Sequence, residues 1–394
     1  MAVTVTTSKS WFSRIIESIK SVLVGLILFI ASFPILFWNE GRAVKTARSL
    51  EEGAGAVVSV AADSVNPANE GKLVHVSGAV STDGPVADGE IGVEAQGIKL
   101  LRNVSMFQWV EEKKSETRKK LGGGEETVTT YDYKKEWKDE PVDSSSFQET
   151  AGHENPGAFP IPSQTFVADP VRVGAFTMSE EQLGHLNDAK DLPLAADAQV
   201  NIPQELGSAT RIDKGVIYAG DDPASPQVGD VKVSFQVVAP STVSLVGVQS
   251  GGSFSPYQAE AGDSVLLVEE GSHTAPEMFK TAQDANTVLT WILRGGGWLA
   301  MFLGLVLIFR PIAVLGDVVP LFGSLLGVGV SLFSFLVSAT LSFVTIAISW
   351  ITVRPLLGIT LLVLAGAAAF WLIKKSRQKK AQAAAAAGGS SMAA

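Results

Sequence analysis

The run Ser21–Phe37 (SVLVGLILFIASFPILF) carries no charged residue. Extended to Trp38, it approaches the ~20 residues a helix needs to cross a ~30 Å hydrocarbon core. No other feature constrains the fold so strongly. A segment of this kind leaves water only as a helix, with its backbone hydrogen bonds satisfied internally. Lys9, Arg14 and Lys20 precede it, which places its N-terminal end on the inner, cytoplasmic side. The run is longer than a signal-peptide core and no Ala-x-Ala site follows it, so an uncleaved anchor is expected. Pro34 lies near its end, where a helix tolerates proline.

A second hydrophobic block begins near Trp291 and ends at Lys374, Lys375, Arg377, Lys379 and Lys380. That basic cluster puts the far end inside as well, so the number of crossings must be even. The expected spans are 21–38, 291–312, 330–353 and 355–373. The stretch 318–329, with Pro320, Gly323, Gly327 and Gly329, is left as an interfacial or re-entrant piece. Gly295, Gly296 and Gly297 stand at the entry to the second span, either as a joint or as a surface for close helix packing. Arg294 and Arg310 bracket that span as interfacial anchors. Residues 1–20 are expected as an inner segment, and 374–394 as a basic, then Ala-rich, disordered inner tail.

Charge divides the chain. Residues 39–290 hold 20 Lys+Arg against 38 Asp+Glu, a net of -18, and the remainder holds 11 against 2, a net of +9. An acidic domain of this kind repels nucleic acid. There is no cysteine, so disulfides and thiolate chemistry are excluded. The acidic part reads as mainly β-structure, with strands expected over 72–80, 104–111, 230–238, 242–248 and 264–268. Turn residues such as Asp83-Gly84-Pro85 and Gly251-Gly252 separate them. Residues 113–140 read as a charged β-hairpin with Gly122–Gly124 at its tip. Helix is expected over 41–53, and at 179–186 behind an S-E-E-Q capping box. The strand entries 69–76 and 227–234 share a Gly-then-alternation layout. Duplication into two similar β-modules and chance likeness both stay open.

Catalytic spacings are missing: there is no H-E-x-x-H, G-x-S-x-G, Walker loop or dinucleotide fingerprint. His153, in Gly152-His153-Glu154-Asn155-Pro156, reads first as part of a structural turn with Asn155 and Pro156. His153 and Glu154 are the first suspects if the domain holds an unrecognised acid–base site. No catalytic, cofactor or metal-ligand set is assigned. The polar string from Asn39, through Glu40, Gly41, Arg42, Lys45 and Arg48, lies where the anchor meets the domain. It is read either as the element that sets the domain's posture on anionic headgroups or as a plain connector.

Residues 38–47 (WNEGRAVKTA), directly after an anchor, closely resemble the transmembrane protein 43 (LUMA) family. Further matches follow in order: NEGKLVH (69–75), MFQWVE (106–111), GHENP (152–156), VGDVKVSF (228–235), GDSVLL (262–267) and GWLAMF (297–302). The resemblance implies four spans with the large domain on the luminal side and both termini cytoplasmic. It also implies self-association and no established enzymatic activity. Eukaryotic members reside in the endoplasmic reticulum and inner nuclear membrane, with lamins and emerin as partners. The Ala-rich, Cys-free composition here looks more like a bacterial member, for which those partners do not transfer.

The expected fold class is therefore membrane α+β: four transmembrane helices, one N-terminal and three C-terminal, around a large β-rich extracytoplasmic domain. The expected function is a non-enzymatic scaffold without cofactor. Its partners are membrane lipids and further copies of itself, with other membrane proteins admitted. A bacterial inner membrane with a periplasmic domain is favoured over the endoplasmic reticulum or inner nuclear membrane. The alternatives are a membrane-anchored enzyme and a channel or lipid-handling protein.

Overall fold

The computed structural model describes residues 2–207 and 209–353, together with 360 and 363. The chain divides into two units. One holds Met1–Lys9, Arg48–Lys120 and Glu125–Asp284; the other holds Ser10–Ala47, Leu121–Gly124 and the chain from Ala285 onward.

Alternation builds the first unit. Strand β1 is Val3–Lys9, β2 Lys99–Lys119, β3 Glu125–Lys138 and β4 Val231–Val238. In β4, Val231, Val233 and Phe235 turn inward while Lys232, Ser234 and Gln236 do not, as a period of two requires. An eight-stranded sheet runs in the order β1, β3, β2, β4, Val216–Ala219, Thr210–Asp213, with Gln164–Val167 beside β2 and Ala189–Asp191 beside β4. A seven-stranded sheet is centred on Leu73–Thr82 and Thr242–Ser250, which pair antiparallel from Leu73↔Val248 to Ala79↔Thr242. The main core draws on both sheets, through Val74, Val76 and Leu245 of one and Leu100, Val104, Val233 and Phe235 of the other. A second cluster joins Leu50, Leu73, Val246, Val265, Met278 and Phe279.

The strands expected from 72, 230 and 242 start within a residue of those positions, the one expected over 104–111 is the middle of the longer Lys99–Lys119, and the one expected over 264–268 is split into Ser264–Val265 and Leu267–Glu270. The charged hairpin is β2–β3, paired from Met106↔Lys138 to Lys119↔Glu125. Ser179 closes a capping box on the short helix Glu180–Leu183. The two similar strand entries also fold alike. Gly71 and Gly229 both take positive φ, Lys72 N donates to Asn69 O, and Asp230 N donates to Gln227 O. One entry opens a strand of each sheet.

Three helices follow a simpler rule. Helix α1 spans Trp11–Ala56, α2 spans Ala275–Gly316 and α3 spans Pro320–Val353. All three are long and apolar enough to cross a membrane. Each exceeds its expected span. The separate helix expected at 41–53 is the continuation of α1, which carries Pro34 within it. The three glycines at 295–297 make no joint, because α2 runs through them unbroken. The stretch 318–329 is not set apart from 330–353. A single helix starts at Pro320, a residue suited to a first helical turn, and the later glycines are embedded among helix-forming leucines. Gly323 lies so close to Asp317 that a Cβ there would overlap it, which makes the α2–α3 connection tight. The expected inner segment 1–20 contains β1, a strand of the eight-stranded sheet. The expected fourth span at 355–373 and the tail at 374–394 lie outside the described residues.

Candidate functional site at the helix junction

The polar string after the first apolar run sits at one end of the helical unit. Helical spacing explains how its residues meet their partners. Asn286, Thr290 and Arg294 follow one another at intervals of four on α2, so they share a face. Asn39 and Arg42, three apart on α1, meet that row. Asn39 Nδ2 donates to Thr290 O at 3.1 Å. Arg42 donates to Asn286 Oδ1 at 2.9 Å, to Thr290 Oγ1 at 3.0 Å and to Asn39 Oδ1 at 3.3 Å. Asn286 Nδ2 returns a bond to Ala43 O at 3.0 Å.

Glu40 is the centre of charge. Its carboxylate is 2% exposed. Arg294 forks onto it, Nε to Oε1 at 2.6 Å and Nη2 to Oε2 at 2.7 Å. Trp350 of α3 donates its indole N–H to Oε2 at 2.7 Å. The Arg294 guanidinium also lies over the rings of Trp291, at 4.7 Å, and Trp350, at 5.8 Å. A buried carboxylate is stable only when paired and hydrogen-bonded, and three charge-assisted donors meet that need. Arg294 is thus more than an interfacial anchor: it ties α2 to α1, and Trp350 ties in α3.

Small residues bring the same helices close. A Cβ on Gly297 would meet Leu36 Cδ2 at 2.6 Å, and one on Gly304 would meet Phe29 N at 2.7 Å and Gly25 O at 2.8 Å. Gly295 and Gly296 have nothing within 4 Å, so only the third glycine packs. Trp298 stacks near Phe302 and edge-on to Phe335, with ring centroids 6.1 and 5.6 Å away. Ser349 Oγ donates to Phe37 O at 3.0 Å. Lys45, Arg48 and Arg310 are exposed, and Gly41 is half-buried.

At the opposite end of these helices, Arg14 pairs with Asp317 at 2.5 Å, both buried. Arg14 also donates to Gly123 O at 2.5 Å, Gly122 N donates to Val318 O at 3.1 Å, and Trp11 Nε1 donates to Val314 O at 3.0 Å.

The turn at 152–156 packs against β2 and β3. Asn155 accepts from Trp109 N at 2.7 Å and donates to Trp109 O at 2.9 Å and Val142 O at 3.2 Å, so it completes the edge of β2. His153 stacks on Tyr133 at 4.0 Å and meets Trp109 edge-on at 4.6 Å. Its Nδ1 lies 3.1 Å from Glu149 O. Backbone N–H groups of the turn hold the Glu154 carboxyl below its ordinary range. Asn155 and Pro156 line a cavity of about 320 Å³ with Pro141, Val142, Asp143 and Ser144. His153 is not among its lining residues. Among the described residues no group of three His, Asp or Glu side chains is placed to hold a metal ion.

Of the residues singled out in the sequence, Asn39, Glu40, Arg42 and Arg294 converge. Trp350, Asn286 and Thr290 were missed, although the Asn286–Thr290–Arg294 spacing was visible.

Three long apolar helices, locked by a buried polar junction, and a two-sheet β domain define a membrane protein with a large water-facing domain. The family described as Transmembrane protein 43 matches residues 106–355. Transmembrane protein 43 of Mus musculus is 38% identical over 360 residues, covering 88% of each chain. That of Homo sapiens is 36% identical over 361 residues, again covering 88% of each. The Drosophila melanogaster homolog is 33% identical, covering 88% of this chain and 92% of its own. The chain belongs to the transmembrane protein 43 family. No solved structure matches it.

Proposed function

We propose that this chain is a non-enzymatic membrane scaffold that self-associates and organises other membrane proteins or the membrane itself. The observation that carries this reading is the Glu40 junction. Its charged groups are consumed in fastening α1, α2 and α3 to one another. A site that turned over a substrate would keep such groups available. The outer faces of the helices stay apolar, as at Leu23, Ile27, Leu325 and Phe343. They are open to lipid or to a second copy.

Four spans complete the topology, with the last at 355–373 and the basic cluster inside. The acidic domain then lies outside, in the periplasm of a bacterial inner membrane. Lipids and further copies of the chain are the partners. Light scattering after size exclusion in mild detergent tests the scaffold reading. A discrete oligomer at low micromolar concentration is expected, and a clean monomer would overturn it.

A further inference from the structure

Residues 139–157 carry Asp139, Glu140, Asp143, Glu149 and Glu154, and no lysine or arginine. The two ends of this acidic stretch meet around the cavity of about 320 Å³, which 141–145 and 155–157 line. That volume lies at the lower end of the ~300–1,000 Å³ usual for small-molecule sites.

Bonds fix the shape of the walls. Gln108 of β2 donates to Glu140 O at 3.0 Å and accepts from Val142 N at 2.8 Å. Asn155 Nδ2 donates to Val142 O at 3.2 Å, and Asn155 N donates to Ser144 Oγ at 2.9 Å. The rings of Pro141 and Pro156 hold their own φ. A wall set in advance loses little freedom when a ligand arrives.

Two polar groups of the wall keep unused capacity. Asp143 Oδ1 accepts from Ser145 N at 3.0 Å and from Ser145 Oγ at 2.6 Å, and so caps the short 3-10 helix Ser144–Ser146. Among the described residues nothing donates to Asp143 Oδ2. The Ser145 hydroxyl and N–H hold the carboxyl below its ordinary range, so it is charged at neutral pH. Ser144 is 8% exposed. Its Oγ accepts from Asn155 N, but among the described residues its O–H finds no acceptor. A hydroxyl can do both, and a buried one gains by doing so.

Charge selects the ligand. An anion would meet the Asp143 carboxylate, and the surrounding acids raise the local concentration of cations instead. We propose that this cavity binds a small protonated amine with an oxygen acceptor near its nitrogen, the pattern of an amino sugar. The ammonium meets Asp143, the oxygen accepts from Ser144, and the carbon skeleton lies against Pro141, Val142 and Pro156. Every residue of the cavity belongs to the β unit of one chain, so binding does not depend on the self-association proposed above.

Titration calorimetry of the full chain in mild detergent tests this, with glucosamine as the amine and glucose as its uncharged counterpart. Saturable one-to-one binding of glucosamine is expected, with glucose at least ~10-fold weaker. Asp143→Asn keeps an oxygen to cap Ser144–Ser146 but removes the charge. It should weaken glucosamine at least ~10-fold while leaving the melting temperature near the parent's. A Cβ on Gly157 would meet nothing within 4 Å, so Gly157→Leu has room for its side chain and should abolish binding by filling the cavity. Absence of glucosamine binding, or equal binding of glucose, overturns the proposal. Unchanged affinity in either variant places the binding elsewhere and overturns it as well. If Gly157→Leu does not fold, Asp143→Asn decides alone.

Discussion

At the scale of single residues, Glu40 illustrates how a charge is made permanent in an apolar setting. Its carboxylate receives two bonds from Arg294 and one from Trp350. Removing one partner of a buried pair leaves the other uncompensated, at a cost of ~3–5 kcal/mol. Glu40→Gln should therefore lower the melting temperature in detergent sharply, and Arg294→Gln should do much the same. Together the two changes should cost less than their sum, as a double-mutant cycle would read. Glu52 sits outside the apolar spans and behaves differently. The Glu260 backbone N–H, aided by the Tyr257 hydroxyl, holds its carboxyl below the ordinary 4.5. A depressed carboxyl contributes stability above its unfolded value and loses it as pH falls through its folded value. Melting temperature should drop as pH is lowered below ~4.5, and Glu52→Gln should reduce that drop. The residues of the junction were partly legible, because N-E-G-R after an apolar run is unusual and Arg294 stands at the next one. Trp350 was not: an indole at the end of an uncharged stretch looks the same whether it meets lipid headgroups or a carboxylate.

Elements were easier to read than their lengths. Alternation located the strands because a half-buried sheet enforces a period of two over each of them. Helix ends were misjudged for a different reason. Hydropathy marks where a helix enters hydrocarbon, not where its backbone bonds stop. Hence α1 extends on both sides of 21–38, and α2 begins at Ala275, well before Trp291. The division expected within 318–353 failed because glycine lowers helix propensity by only ~1 kcal/mol per residue, which packing overrides. Helix pairing itself is testable at Gly304, whose position against Gly25 and Phe29 leaves no room for a Cβ. Gly304→Leu should separate α1 from α2 and cost ~1–3 kcal/mol or more from overpacking. Gly296→Leu, on the same helix but with open space around it, should be near neutral. Comparing the two by thermal unfolding separates packing from helix propensity. Asn155→Ala probes the turn at 152–156. It strips Trp109 of both backbone partners and should cost ~1–3 kcal/mol, read as a lower unfolding midpoint with helical content unchanged.

For the molecule as a whole, the split between the acidic 39–290 and the basic remainder is the feature that underlies the threading direction proposed above. What it concealed was β1. A short Val/Thr alternation ahead of an anchor carries no sign of where its partner strand lies, and that partner is reached only at Glu125–Tyr131. This long-range pairing has a consequence for biosynthesis. By the time Glu125 leaves the ribosome, α1 has already been made and is apolar enough to have entered the membrane. Strand β1 must therefore wait as an open edge, fastened at Ser10 to an inserted helix, until the hairpin arrives. Closing the edge of the eight-stranded sheet is thus a late event in the life of each new chain. Any factor that shields an exposed strand during that interval would govern how much of the protein matures.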